Sequence, residues 1–180
     1  MESIFQVDIS TIKDAPGTGM MISDQIVLPN QSWEGERLLE FINPWRIELE
    51  VTNLKRGYQV NGETRGSYQL NCDRCLEKLQ SDLVTAFNDF FLPRPPMEGE
   101  EEVKEFSGDE LDLTATIMEA INLKMPMKIL CDPNCRGLCP ACGINLNKKT
   151  CHCQPESLDP RLATLLKWKQ NKGGGNNGQS

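Results

Sequence analysis

Eight cysteines fall in four close pairs, Cys72-x2-Cys75, Cys131-x3-Cys135, Cys139-x2-Cys142 and Cys151-x-Cys153. Paired short spacing suits a tetrahedral metal, because each chelating turn offers two thiolates to one face of the ion and two turns complete the ligand set. A chain held in this way must fold around those turns, whatever else its core does. Cys139-Pro140-Ala141-Cys142-Gly143 is the most specific of the four, since its glycine permits the backbone turn that aims both sulfurs at one ion. Thiolate donors without carboxylates select zinc over magnesium or calcium. No run of three closely spaced cysteines matches the ferredoxin patterns, which disfavours an iron–sulfur cluster.

Two zinc ions are therefore expected. Only eight residues separate Cys142 from Cys151, so local closure places Cys139, Cys142, Cys151 and Cys153 in one site. Cys72, Cys75, Cys131 and Cys135 then form the other, across 55 intervening residues. Closure entropy grows only slowly with loop length, so that span is tolerable, and the crossed pairing stays open. His152, the sole histidine, sits between two cysteines that already supply ligands and reads as a surface residue.

In a reducing compartment eight such cysteines are not expected to be disulfides. The N-terminal MESIFQVDIS lacks the basic and apolar stretches of a signal peptide, and no apolar run approaches the ~20 residues of a membrane span. The expectation is a cytoplasmic protein with no membrane partner. Charge divides the chain unevenly: residues 1–123 carry 10 Lys and Arg against 23 Asp and Glu, and residues 124–180 carry 9 against 3. An acidic body with a basic, cysteine-rich end reads as two surfaces with different partners. Arg136, Lys148, Lys149, Lys167 and Lys169 are the candidate partner or RNA contacts on the basic end.

The body patterns as β. Ile47, Leu49 and Val51 alternate with polar residues, and alternation resumes at Tyr58 and Val60 after a break at Asn53 to Gly57. Asn61-Gly62 predicts a two-residue hairpin turn, with Thr64, Gly66, Tyr68 and Leu70 on the return strand. Residues 79–91 fit helix through Leu83, Phe87 and Phe91, and strand through Val84, Ala86 and Phe90. Strand is favoured because a meander needs a third partner. Residues 93–110, proline-rich and acidic, read as a solvated loop. Asp112 is the expected N-cap of a helix over 112–124, with Leu113, Ile117, Ile121 and Met125 on its apolar face and Pro126 as its stop. Asp159-Pro160 opens a second helix, ended by Gly173 to Gly175.

The fold class is thus α+β, an antiparallel β-rich body with one central helix, a zinc-ribbon-like lobe and a short terminal helix. The expected domains are 1–127 (acidic body), 128–156 (cysteine-rich lobe), 157–170 (C-terminal helix) and 171–180 (flexible tail). Nothing resembles a catalytic constellation: there is no Gly-rich phosphate loop, no base beside a nucleophile, and no paired carboxylates at interpretable positions. A four-cysteine site leaves no open metal position for chemistry. The reading is a non-enzyme without a small-molecule substrate.

Cys72-Asp-Arg-Cys75-Leu76 resembles the C-x-R-C-L signature of the YceD family, the large ribosomal RNA subunit accumulation proteins. Asp112-Leu113, the stretch Glu119 to Pro126, and Leu130-Cys131 are similar to that family's helix, proline and cysteine segment. Asp159-Pro160-Arg161 resembles its C-terminal helix. Cys135 to Asn147, with Cys151 and Cys153, is like its cysteine-rich bacterial version. The resemblance covers most of residues 40–170. It implies a role in ribosomal RNA metabolism and large-subunit assembly, supporting 23S rRNA accumulation, with large-subunit rRNA or ribosomal proteins as partners. Two other functions compete with it: a redox switch built on the cysteine–zinc pairs, and a generic zinc-ribbon interaction module.

Overall fold

The computed structural model of the chain describes residues 3–33, 37–95 and 103–153. A break after Cys135 divides the chain into two compact units, residues 1–135 and 136–180. Among the described residues of the first unit eight strands precede one helix: β1 (Gln6–Asp8), β2 (Gly19–Ile26), β3 (Gln31–Trp33), β4 (Arg37–Asn53), β5 (Tyr58–Asn71), β6 (Lys78–Leu92), β7 (Val103–Glu105), β8 (Glu110–Asp112) and α1 (Thr114–Lys124). The main sheet runs β2-β4-β5-β6-β7, and β3 also pairs with β4. Its pairings are antiparallel except β6 with β7, and β1 and β8 form a separate two-stranded sheet. The result is a mostly antiparallel sheet with one helix among the described residues. No helix among them is long and apolar enough to cross a membrane.

The sheet's inner face follows the period-two pattern. Ile47, Leu49 and Val51 on β4 and Val60, Thr64, Tyr68 and Leu70 on β5 are all buried. The expected turn at Asn61-Gly62 does not form. β5 runs straight through it, pairing Asn61 with Glu50 and Gly62 with Leu49 on one side, and with Asn88 and Phe87 on the other. The turn lies instead in the break before it, where Leu54–Gly57 joins β4 to β5 across the Asn53–Tyr58 pair. Gly62 is needed for space rather than for a turn: a Cβ there would stand 2.3 Å from the Phe87 ring and 2.9 Å from Leu49. Gly66 does the same for Trp45, whose ring lies 2.3 Å from where its Cβ would be. Trp45 is fully buried, meets Phe41 edge-on at 5.3 Å, and donates its indole N–H to the Ser67 carbonyl at 3.1 Å.

Residues 78–92 are strand, as the meander argument requires. The residues that also fitted a helix, Leu83, Phe87 and Phe91, are the buried ones, whereas Val84 is half exposed. The proline-rich acidic segment is more than a loop. Val103–Glu105 pairs in parallel with Phe90–Leu92, and Glu110 opens β8. Lys104 secures this segment, its ammonium 2.8 Å from Asp89, 2.6 Å from Glu119 and 3.0 Å from the Thr116 hydroxyl. The helix is shifted slightly from expectation. Asp112 ends β8, Leu113 is the N-cap, and the Asp112 carboxylate accepts the Thr114 N–H at 2.9 Å. The helix starts there because its first i→i−4 bond runs from the Ile117 N–H to the Leu113 carbonyl, at 2.9 Å. Leu113, Ile117, Ile121 and Met125 are all buried, and Thr85 of β6 donates to the Ala120 carbonyl at 3.1 Å. At eleven residues the helix is too short to persist alone and depends on this packing. The expected terminal helix and tail lie outside the described residues.

Gly66→Ala should cost about 1–3 kcal/mol, because the methyl group must displace a fully buried indole. On a chain of this size that lowers the melting temperature by about 3–10 °C. Thermal unfolding followed by Trp fluorescence checks it, and an unchanged midpoint would mean that Trp45 does not lie over β5.

Candidate metal centre

The first cluster begins as a strand connection. β5 ends at Asn71 and β6 starts at its pairing partner Lys78, so Cys72 to Glu77 form the turn between them. The Cys72 N–H donates to the Glu77 carbonyl at 2.8 Å, and the Leu76 N–H returns to the Cys72 carbonyl at 2.9 Å. The turn at Cys139 repeats this pattern: Cys139 N–H to Ile144 carbonyl and Gly143 N–H to Cys139 carbonyl, both at 2.8 Å. Each turn places the residue after its second cysteine in the left-handed region, Leu76 at φ +59° and Gly143 at +71°. Glycine accepts that conformation freely. Leucine in the same place costs about 1–2 kcal/mol, and here it is 62% exposed.

The other half of the first cluster comes from the segment after α1. Asp73 grips it on both sides, its N–H donating to the Ile129 carbonyl and its carboxylate accepting the Ile129 N–H, each at 2.8 Å. The Arg74 guanidinium donates to the Cys135 carbonyl at 2.7 Å. Cysteine spacing alone did not single out Asp73 and Arg74. Arg74 was marked by the C-x-R-C-L signature, and Asp73 only by its place between the two ligands of a chelating turn. With these bonds made, the Sγ atoms of Cys72, Cys75, Cys131 and Cys135 all lie within 4.8 Å of one another, as do those of Cys139, Cys142, Cys151 and Cys153.

Sulfur geometry fits a tetrahedral ion. Zinc–sulfur bonds of ~2.3 Å place neighbouring sulfurs ~3.8 Å apart. The Cys72–Cys135 and Cys75–Cys131 distances are 3.9 and 3.5 Å, far beyond a disulfide bond. Both groups can therefore hold a metal ion.

Proton affinities within each group diverge. Burial works to raise the Cys72 thiol, but backbone N–H donors from Cys131, Arg74 and Cys75 outweigh it and hold the group at about 6. Cys139 sits at about 6 through N–H donors from Cys142 and Ala141. At the other extreme, side-chain hydrogen bonds with Cys75 and Cys135 push Cys131 up to about 12, and one with Cys142 pushes Cys153 to about 12. Without a cation, four sulfurs this close cannot all ionise, and the thiolate formed first forces its neighbours to keep their protons. A divalent ion removes that conflict.

In the second unit the cluster is local. A Leu138–Asn145 bridge and the Leu146 N–H to Gly137 carbonyl bond of 2.9 Å shape a small hairpin around Cys139 and Cys142. Arg136, Lys148 and Lys149 are exposed on this unit, and the Arg136 N–H donates to Asn147 Oδ1 at 2.7 Å. His152 is exposed beside its cysteines. Lys167 and Lys169 lie outside the described residues.

A pH dependence follows from these shifts. Near neutral pH Cys72 and Cys139 are ionised while Cys131 and Cys153 hold protons, so metal uptake must expel at least one proton per centre. Calorimetry of zinc binding to the metal-free chain in two buffers should show that release. Protons and the metal compete for the same thiolates, so metal affinity should fall as the pH is lowered from neutrality, and an affinity that does not change with pH would contradict sulfur ligation.

No solved structure matches the chain. An uncharacterized protein of Mycobacterium tuberculosis is 28% identical over 166 residues, covering 89% of this chain and 79% of the relative. The chain also resembles a chloroplastic protein of Arabidopsis thaliana named as a large ribosomal RNA subunit accumulation protein. The two are 23% identical over 200 residues, covering 91% of this chain and 62% of the relative. A maize protein of the same name is 25% identical over 148 residues, covering 64% and 50% respectively. The family model described as large ribosomal RNA subunit accumulation protein YceD matches residues 60–169. That stretch is more than half of the 180 residues and contains both cysteine clusters, together with β6 and α1 that hold the first of them, and by it the chain belongs to the YceD family.

Proposed function

We propose that this chain is a zinc-stabilised, non-enzymatic factor in the accumulation of large-subunit ribosomal RNA, acting in the cytoplasm. The observation that carries the reading is the family match across residues 60–169, which includes both four-sulfur groups. The names of the plant relatives supply the process, and the donor chemistry supplies the metal, since four thiolates favour zinc. Four protein ligands fill a tetrahedral ion, leaving no position for a reacting water, so each centre acts as a staple. Large-subunit rRNA or ribosomal proteins are the partners. The acidic body suits a basic protein, and the exposed Arg136, Lys148 and Lys149, with Lys167 and Lys169 beyond them in sequence, suit phosphate.

The two centres have unequal structural tasks. The first ties the β5–β6 connection to the segment after α1, whereas the second closes a hairpin within fifteen residues. By the chain-entropy account of cross-links, a staple spanning 55 residues contributes about 4 kcal/mol.

A second reading draws on exposure. Cys131, Cys142 and Cys153 are exposed, so peroxide could reach them, convert two thiolates and two protons to a disulfide and water, and release the ion. Fast, reversible zinc loss at low peroxide concentration would favour this switch.

Four measurements bear on the proposal. Native mass spectrometry should find two zinc ions per chain; one ion, or iron, contradicts it. Cys72→Ser should lower the melting temperature by on the order of 10 °C, whereas Cys142→Ser should leave the body folded and weaken partner binding. Equal loss in both variants contradicts the division of tasks. Affinity capture from cells should enrich large-subunit rRNA or ribosomal proteins, and depletion should lower 23S relative to 16S rRNA. An unchanged ratio on depletion removes the functional reading.

A further inference from the structure

Residues 1–135 hold twelve Lys and Arg against twenty-four Asp and Glu, so this unit as a whole repels polyanions. One end of its sheet departs from that charge. In the β4–β5 turn Lys55 sits at φ +69°, and the Arg56 N–H donates to the Leu54 carbonyl at 2.8 Å. A three-residue turn closed this way, with positive φ at its centre, is the rare and strained form of the γ-turn. Such strain persists only where neighbours impose it, and it clusters at ligand clamps. Here Asn53 imposes it. Its Oδ1 accepts the Lys55 N–H at 2.8 Å, and its Nδ2 donates to the carbonyls of Ile12 and Lys13 at 2.7 and 2.9 Å.

The strained turn presents two adjacent cations. Lys55 and Arg56 are exposed, and among the described residues neither side chain has an ion pair or a hydrogen bond. They border a cavity of about 330 Å³ that is also lined by Lys13, Tyr58 and Phe106. The Lys13 ammonium is already engaged by Asp109. The Tyr58 and Phe106 rings meet edge-on at 5.3 Å, Tyr58 buried and Phe106 half-buried.

We propose that this end of the sheet binds an unpaired nucleotide of RNA, with a phosphate on Lys55 and Arg56 and the base in the cavity against Phe106. Uncommitted cations beside an aromatic ring and a cavity are the elements by which proteins hold single-stranded RNA. An acidic peptide would use the cations but leave the ring and the cavity without a partner. The choice of RNA rests on the functional reading above; the site itself rests on the turn, the charges and the cavity.

The test uses the full-length, zinc-loaded chain and a labelled single-stranded RNA of about twelve nucleotides, with affinity measured across a range of salt. Each phosphate neutralised on a single strand contributes ~0.7 to the slope of log K against log salt, so K55Q/R56Q, which removes the one phosphate contact, should lower that slope by ~0.7 and weaken binding on the order of tenfold. Phe106→Leu should weaken binding with the slope unchanged. Lys78→Gln, at the far end of β5 and β6, should alter neither. The proposal is overturned if the wild-type chain does not bind the RNA or if K55Q/R56Q keeps its affinity and slope. It is also overturned if polyglutamate of equal charge displaces the RNA as readily as unlabelled RNA does. Failure here with 23S accumulation still dependent on the protein removes this site alone. Accumulation independent of the protein, with the salt-sensitive binding intact, removes the functional reading and supports the site.

Discussion

Gly62 and Gly66 leave two gaps on the inner face of β5, and the rings of Phe87 and Trp45 lie in them closer than any side chain would permit. This contact holds β4, β5 and β6 together at the centre of the sheet, since Trp45 belongs to β4 and Phe87 to β6. It also requires β5 to run unbroken for fourteen residues, ~45 Å at the usual rise per residue. Both turns that matter then fall at the ends of that strand. The Leu54–Gly57 connection lies at one end and the Cys72–Glu77 connection at the other.

The cysteine turn shows how a sheet edge becomes a metal centre. Hydrogen bonds from Asp73 and Arg74 dock the segment after α1 before any ion is considered, so the four sulfurs are assembled largely by the backbone. What the backbone cannot supply is charge compensation. The Cys131 thiol, pushed up to about 12 by its sulfur neighbours, marks the conflict that a divalent ion would relieve. The metal's contribution is therefore greatest where the fold has already met the entropic cost of bringing distant segments together.

Much of this was legible in the residues. Alternation marked the inner faces of β4 and β5, and spacing every four residues marked the buried side of α1. Even the misplaced turn carried its own contradiction. A two-residue turn at Asn61-Gly62 pairs Val60 with Glu63, so the inward residues after it would be odd-numbered. Thr64, Tyr68 and Leu70 instead continue the even phase of Tyr58 and Val60, which only an unbroken strand allows. The short strand β7 was not legible, because three residues between prolines and acidic residues have no period to read. Their pairing with β6 and the Lys104 clamp exist only once β6 and α1 are in place.

By itself the sequence determined what depends on near neighbours: four chelating pairs, alternating strands, an amphipathic helix ended by proline, and an acidic body joined to a basic end. Such features follow from bond geometry and side-chain period within a few residues. Tertiary structure decided what depends on distant partners. It grouped Cys72 and Cys75 with Cys131 and Cys135, replaced a permissive Asn-Gly turn with ring packing, and put Leu76 and Lys55 into left-handed conformations that neither residue would choose alone. In each case a dipeptide's local preference, worth ~1 kcal/mol, gave way to contacts from segments far along the chain whose combined energy is several times larger.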